Sequence, residues 1–187
     1  MEIKTARLYM RDLIEADWPP VHRLRTDRRV YRFNHFGPEA EAESRAWVVA
    51  TMVHNNRQPR LSHNCAILIQ ATGQVIGWIG FGKPSAGKEI YGEISFGYAL
   101  MPEFWGHGYM SEALQGMLAF IFTTEEASTV YADCNVGNIG SARVMEKAGM
   151  RHVARYQNPD ELSPERAESY RYQLERGAWE EGQKGDT

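Results

Sequence analysis

Apolar positions along the chain change period several times, and each change marks an element. Leu8 and Met10 give a partial alternation that predicts a strand over Arg7–Leu13. Ala16–Thr26 reads as a helix interrupted early by Pro19-Pro20, so that it starts at one of these prolines. A second helix fits Pro38–His54. Pro38 stands at its start, Glu39, Glu41 and Glu43 lie near the positive end of the dipole, and Trp47, Val48, Met52 and Val53 supply an apolar face. Three β-type runs follow, Cys65–Gln70, Val75–Phe81 and Ile90–Leu100. Ala71-Thr72-Gly73-Gln74 joins the first two as a tight turn, and a looser loop, Gly82–Glu89, precedes the third. Such a meander predicts antiparallel neighbours.

The period then lengthens. Gly108–Phe122 places Ala113, Leu114, Met117, Leu118, Ile121 and Phe122 on one helical face. Thr129–Cys134 reads as a strand, and Ile139–Ala148 as a helix closed by Gly149 in a left-handed cap. Strands at Arg151–Tyr156 and Ser169–Leu174 flank a loop holding Pro159 and Pro164. The order β-α-α-β-β-β-α-β-α-β-β predicts an α/β (α+β) fold: a mixed, largely antiparallel sheet flanked by helices.

The length of 187 residues and the 43% hydrophobic content fit one domain with a buried core, expected over residues 1–179. The polar residues 180–187, EEGQKGDT, are expected to be a disordered tail. A net charge of −3 excludes a polyanion binder held by overall charge, so no nucleic-acid partner is expected, although a local basic patch stays open. Cys65 and Cys134 are too few for a disulfide scaffold or a Cys-rich zinc site and fit a reducing cytoplasm. The six histidines show no HxxxH spacing, and no metal is expected. No stretch approaches the ~20 apolar residues of a membrane span, so the expected location is the cytoplasm, with no membrane contact.

The most informative segment is Tyr98–Leu114, YALMPEFWGHGYMSEAL, where a strand runs through a glycine-bearing turn into a helix. The first helical N–H groups lack intrahelical partners and, with the dipole, form an anion site. Gly106 and Gly108 let a phosphate approach the backbone. An ordinary strand–helix turn that needs glycine for its dihedrals fits the same residues. A Walker A loop does not: it ends in Gly-Lys-Ser/Thr, and Gly-Tyr-Met-Ser stands here. A dinucleotide fingerprint needs a third Gly where Ser111 stands, in a first βα unit.

This segment resembles the acetyl-CoA pyrophosphate loop of the GNAT superfamily of N-acetyltransferases, and PEFWGHGYMSEAL is particularly similar to its RimJ/RimL-like branch. Asn138–Met150, NIGSARVMEKAGM, is similar to the family's Asn-x-x-Ser…Glu-Lys-x-Gly-Phe helix, and ARLYMRDLIEAD at Ala6–Asp17 resembles its opening. The likeness spans about Thr5 to Trp179. It departs at Trp105, where the superfamily carries a polar residue, at Met110, where it carries a small one, and at Met145, where many members carry a general-acid Tyr. Glu168 is the nearest equivalent of an Asp often found before the last strand.

The resemblance implies a GNAT-fold acyltransferase that moves an acetyl group from acetyl-CoA directly to a primary amine, with a protein or peptide N-terminus leading. A small-molecule acceptor (polyamine, amino acid or aminoglycoside) and a non-catalytic acyl-CoA-binding module stay open, as do a monomer and a homodimer. The resemblance further implies that Trp105, Gly106, His107, Gly108, Tyr109 and Met110 bind the pyrophosphate, the side chain of His107 facing solvent. The end of the preceding strand, Tyr98–Met101, with Leu100 and Met101 as its cofactor contacts, pairs with the pantetheine arm like an extra strand, an N–H near Leu100 meeting the oxyanion. Asn138 contacts the pantetheine arm, Ser141 donates to the leaving thiolate, and Lys147 touches phosphates. The bland alternatives are a plain N-cap for Asn138, a first-turn backbone bond for Ser141, a solvated helix-end cation for Lys147, which is the favoured reading there, and a solvated strand-end carboxylate for Glu93. Glu93 is the candidate general base and substrate contact, sharing a strand face with Ser95, Gly97 and Ala99. Tyr31 and Phe33 are expected to wall the acceptor site, after an Arg cluster at 23, 25, 28, 29 and 32 that reads as a solvated face.

Overall fold

The computed structural model describes residues 1–34, 36–83, 93–125, 127–157 and 167–185. Eight strands form one sheet in the order β1-β2-β3-β4-β5-β6-β8-β7. They are β1 (Glu2–Lys4), β2 (Leu8–Asp12), β3 (Ser62–Ile69), β4 (Val75–Gly82), β5 (Glu93–Leu100), β6 (Thr129–Asn135), β7 (Arg151–Gln157) and β8 (Glu168–Glu175). Every neighbouring pair is antiparallel except β5 and β6, which run parallel. The helices are α1 (Trp18–Thr26), α2 (Arg28–Tyr31), α3 (Glu41–Asn55), α4 (Tyr109–Thr124), α5 (Ile139–Lys147) and α6 (Arg176–Gly185).

The main core lies between the sheet and α4, where Met117, Leu118, Ile121 and Phe122 meet Leu8, Met10, Ile67, Ile79 and Val130. The face predicted from Gly108–Phe122 is thus the buried one. A smaller layer covers the opposite face of the β2–β5 half, with Leu13, Val21 and Val48 over Ala66 and Leu68, and Leu24 and Val30 over Ala99 and Met101.

Several boundaries move, each for a local reason. A 3-10 turn at Glu15–Asp17 precedes α1, which begins at Trp18 with proline in its first turn. The second predicted helix starts at Glu41 rather than Pro38. Glu39 is drawn off to the Arg25 guanidinium (Nε to Oε2, 2.7 Å), which stacks between Phe36 and Trp47, and Glu43 accepts the Ala40 N–H instead (2.7 Å). The sequence reading missed edge strand β1 and the one-turn α2, whose first N–H groups are capped by Asp27.

The expected tail at 180–187 is corrected: through Gly185 it belongs to α6. Trp179 packs on Phe122 (5.3 Å between centroids), and Arg176 caps the C-terminus of α4, donating to the carbonyls of Phe122, Glu125 and Ala127. The loop with Pro159 and Pro164, and residues 84–89 of the loop before β5, lie outside the described residues.

Candidate active site

Strand β5 is paired on both sides only at its start. Glu93, Ile94 and Ser95 pair with Thr129, Val130 and Tyr131 of β6; beyond them β5 stays on β4 while β6 stays on β8. Peptide groups alternate sides along a strand. The Met101 N–H donates to the Ile76 carbonyl (2.9 Å), and the Ala99 carbonyl lies against Gly77 on β4, so residues 99 and 101 face β4. The backbone groups of Tyr98 and Leu100 therefore face the gap that β6 leaves. This is a strand edge inside a sheet, ready to hydrogen-bond an extended amide-bearing chain.

At the far end of β5 the chain makes a 3-10 turn, Pro102–Phe104, and enters the loop Trp105–Gly108. The Trp105 indole N–H donates to the Leu100 carbonyl (2.7 Å), fastening loop to strand. Gly108 caps α4 with φ +78°, and Gly106 has φ +79°; both are left-handed conformations that favour glycine. The first intrahelical bond of α4 is Glu112 N–H to the Gly108 carbonyl, which leaves the N–H groups of Tyr109, Met110 and Ser111 available.

The other wall is the β6–α5 connection. Asn138 caps α5, its Oδ1 accepting the Ser141 N–H (3.2 Å). The Ser141 Oγ lies 2.9 Å from the Tyr98 phenol, which also donates to the Ser141 carbonyl (3.2 Å). Burial raises the Tyr98 phenol pKa far above its ordinary value, so it stays protonated. Cys134 lies behind this pair; burial pushes its thiol up to about 11, and it is not a poised nucleophile.

These elements enclose a cleft of about 570 Å³. Four cations line it, Arg29, Arg32, Arg143 and Lys147, and no carboxylate does so among the described residues. Arg29 is paired with Asp27 (2.6 Å), so the local surplus that suits a polyanion in a chain of net charge −3 comes from Arg32, Arg143 and Lys147. Phe33 reaches across from beyond α2 to Gly137 and partly roofs the cleft.

The cleft gathers Phe33, Leu100, Trp105, Gly106, Gly108, Tyr109, Met110, Asn138, Ser141 and Lys147 from the sequence-derived candidates. It does not gather four others. Met101 is buried, and its N–H is spent on β4. The His107 side chain faces solvent, donating from Nδ1 to the Trp105 carbonyl (2.8 Å). Tyr31 packs beside Gly37. Glu93 opens β5, five residues before Tyr98, about 17 Å at 3.3–3.4 Å per residue. Met145 is fully buried in the core, so the phenol at the site comes from Tyr98 on the strand rather than from α5. Glu168 pairs with Arg155 (2.6 and 2.8 Å). One residue was missed outright: Arg143 stands four before Lys147 on the same helix face, a spacing that could have found it. Tyr98 was expected to pair with the pantetheine arm as part of the strand end, and its phenol was not singled out.

Comparison with known proteins gives a consistent picture. The family model described as acetyltransferase (GNAT) domain matches residues 7–151. The uncharacterized N-acetyltransferase YnaD of Bacillus subtilis is 29% identical over 153 residues, 81% of this chain and 83% of that protein. A RimL ribosomal L7/L12 alpha-N-protein acetyltransferase, solved in complex with coenzyme A, superposes with a TM-score of 0.80 at 18% identity, covering 94% of this chain and 98% of that one. A spermidine N-acetyltransferase from Vibrio cholerae, solved with CoA and spermine, superposes at 0.77 and 15% identity, covering 94% and 99%.

Proposed function

This chain belongs to the GNAT acetyltransferase family and is an acyltransferase, and on that premise we propose that it carries an acetyl group from acetyl-CoA to the α-amine of a protein or peptide N-terminus. The observation that carries the reading is the edge of β5 between Tyr98 and Leu100 that β6 leaves uncovered, with the Leu100 carbonyl held by the Trp105 indole, beside a loop and a cation-lined wall that suit phosphates. Acetyl-CoA, when bound, supplies the activated acetyl thioester. Tyr98 and Leu100 would hold its pantetheine amides, the Gly106–Ser111 backbone its diphosphate, and Arg143 and Lys147 further phosphate charge. Ser141 would hand a proton from Oγ to the leaving sulfur, with the Tyr98 phenol behind it. Phe33 would shield the reacting end from water.

One consideration supports an α-amine. An α-amine with a pKa near 8 is about one-tenth neutral at pH 7, whereas a lysine amine near 10.4 is neutral only about once in a few thousand. The α-amine therefore needs no strong base at the cleft. The buried free thiols Cys65 and Cys134 support a reducing cytoplasm as the setting.

The test is free-thiol release from acetyl-CoA against N-terminal peptides, lysine peptides, polyamines and aminoglycosides. Turnover with N-terminal peptides and not with the other three is expected. Turnover confined to polyamines or aminoglycosides would overturn the acceptor. Tight CoA binding without turnover on any amine would leave a binding module.

A further inference from the structure

Arg7, just ahead of β2, lies about a hundred residues in sequence from the loop before α4, yet it is bonded both to that loop and to the first turn of α4. Its backbone N–H donates to Glu112 Oε1 (2.7 Å) and its Nε to Glu112 Oε2 (2.6 Å), while Thr5 Oγ1 donates to the same carboxylate (2.6 Å). Its Nη1 continues to the His107 carbonyl (3.0 Å), its guanidinium lies over the Tyr109 ring (4.6 Å), and its Nη2 stands 3.5 Å from where a Cβ on Gly108 would be. We propose that Arg7 is a positioning residue for the diphosphate: it acts through the His107–Gly108 peptide and not by gripping the ligand itself. The inference rests on the acetyl-CoA reading of the cleft.

Across a trans peptide the carbonyl of one residue and the N–H of the next point in opposite directions. Arg7 holds the His107 carbonyl on the outside of the loop, so the Gly108 N–H is turned to the inside. The Trp105 carbonyl is held outward in the same way by His107 Nδ1, which turns the Gly106 N–H inward. Two alternate peptides of one short loop are thus aimed by bonds made on its outer surface. Glycine at 106 and 108 permits this aim, but it permits many others. The outer bonds select one before a ligand arrives, which lowers the ordering cost of binding.

Charge adds a second effect. Glu112 lies in the first turn of α4, where a free carboxylate would repel a bound diphosphate. Burial raises its pKa, but hydrogen bonds from Thr5 and Arg7 outweigh burial and hold it below the ordinary value, so it is ionised. Arg7 neutralises that charge at 2.6 Å. A lysine at position 7 would restore a charge, yet its compact ammonium lacks the planar fork that spans a carboxylate and a carbonyl together.

The experiment uses the full chain with Arg7→Gln, Arg7→Lys, Glu112→Gln and the double variant Arg7→Gln/Glu112→Gln. Calorimetry gives the CoA dissociation constant, and hydrogen exchange reports the Gly106 and Gly108 amides in the ligand-free protein. Kinetics are run with acetyl-CoA and with acetyl-pantetheine, a donor without the diphosphate. Arg7→Gln is expected to weaken CoA binding and raise the acetyl-CoA KM at least tenfold, and to speed exchange at Gly108. The acetyl-pantetheine KM and the kcat at saturating acetyl-CoA should stay within twofold. Arg7→Lys should recover less than a third of the loss, and the double variant should stay at least fivefold weaker than the native chain. Unchanged CoA binding by Arg7→Gln, full rescue by Lys or by the double variant, or an equal loss with acetyl-pantetheine would each overturn the proposal. If Arg7→Gln fails to fold, the Arg7→Lys comparison of the two donors decides alone. Failure of the native chain to bind CoA would overturn the acetyl-CoA reading instead.

Discussion

The Tyr98 phenol and the Ser141 hydroxyl sit 2.9 Å apart, joining the unpaired edge of β5 to the first turn of α5. Each element alone carries one weak acid. Together they form a hydrogen-bonded hydroxyl pair, and Ser141 lines the cleft. In the proposed reading the pair hands a proton to the leaving sulfur, a general-acid role worth about 10²–10⁴-fold. Ser141→Ala is therefore expected to lower kcat about a hundredfold while the acetyl-CoA KM moves less than threefold. Tyr98→Phe should cost about tenfold, and the double variant little more than Ser141→Ala, since groups acting as one unit are not additive. Stopped-time thiol release on the three variants checks this. An unaffected Ser141→Ala enzyme would assign the proton to water. Glu93→Gln, altered at the far end of β5, is expected to cost less than Ser141→Ala in the same assay.

Arg143 and Lys147 stand one turn apart on α5 and are exposed at the rim of the cleft. Replacing either by Ala should weaken acetyl-CoA severalfold, with the loss shrinking as salt rises from about 0.05 to 0.5 M, because rim charges are screened. Titration of acetyl-CoA at several salt concentrations measures it. A salt-independent loss would mean that the substitution perturbs the helix rather than the charge.

Gly77 holds β4 tightly against β5. A Cβ there would stand 2.3 Å from the Ala99 carbonyl and 3.1 Å from the Leu100 Cα. Gly77→Ala is expected to cost about 2–3 kcal/mol, in the range of overpacked cores, and to raise the acetyl-CoA KM, because the displaced strand is the one edging the cleft. Gly97→Ala meets Trp78 at an ordinary 3.6 Å and should change stability by less than about 0.5 kcal/mol. Urea midpoints of the two variants make the comparison, and equal midpoints would refute it.

His63 stacks on Phe81 (4.4 Å between centroids), with Nε2 at 3.5 Å from Glu125 and Nδ1 buried without a partner among the described residues. Burial first, and the nearby Arg60 second, push its pKa down from 6.5 to about 4. Between those values the unfolded chain binds the proton and the folded one does not. The stabilisation is thus complete above about pH 6.5 and drains away as pH falls toward 4, by at most ~3 kcal/mol. His63→Phe, which keeps the aromatic stack, should flatten the fall of Tm between pH 6.5 and 4. Parallel slopes in the two proteins would assign the acid sensitivity to other groups.

How much of this was legible in the sequence depended on how local each cause is. Periodicity exposed α4 because its buried face is continuous from Met110 to Phe122, and the Gly149 cap follows from one residue's conformation, φ +86°. The loop and the Asn138–Ser141 turn were legible as motifs, and both lie in the cleft. What was lost is set by partners distant in sequence. Pro38 looked like a helix start until Arg25 claimed Glu39. Residues 180–185 looked like a tail until Trp179 and Arg176 tied α6 to the end of α4. Tyr98 looked like strand backbone because its partner stands 43 residues onward. Met101 looked like a ligand contact because alternation assigns side-chain faces readily, but which edge an N–H serves becomes clear only once β4 is in place.

The early parting of β5 from β6 has a consequence for the life of the protein in a cell. Among the described residues, three paired positions form the direct ladder between the five-strand part of the sheet and the three-strand part. A cofactor lying along Tyr98 and Leu100 would serve as the absent rung. Anything bound only by the folded state protects it by mass action, ~2.7 kcal/mol at a hundredfold excess over Kd. Protease digestion with and without CoA should show the loaded form outlasting the empty one, and equal lifetimes would refute the idea. Supply of the acyl donor would then govern the amount of this enzyme as well as its rate, so that a starved cell sheds the catalyst it cannot feed.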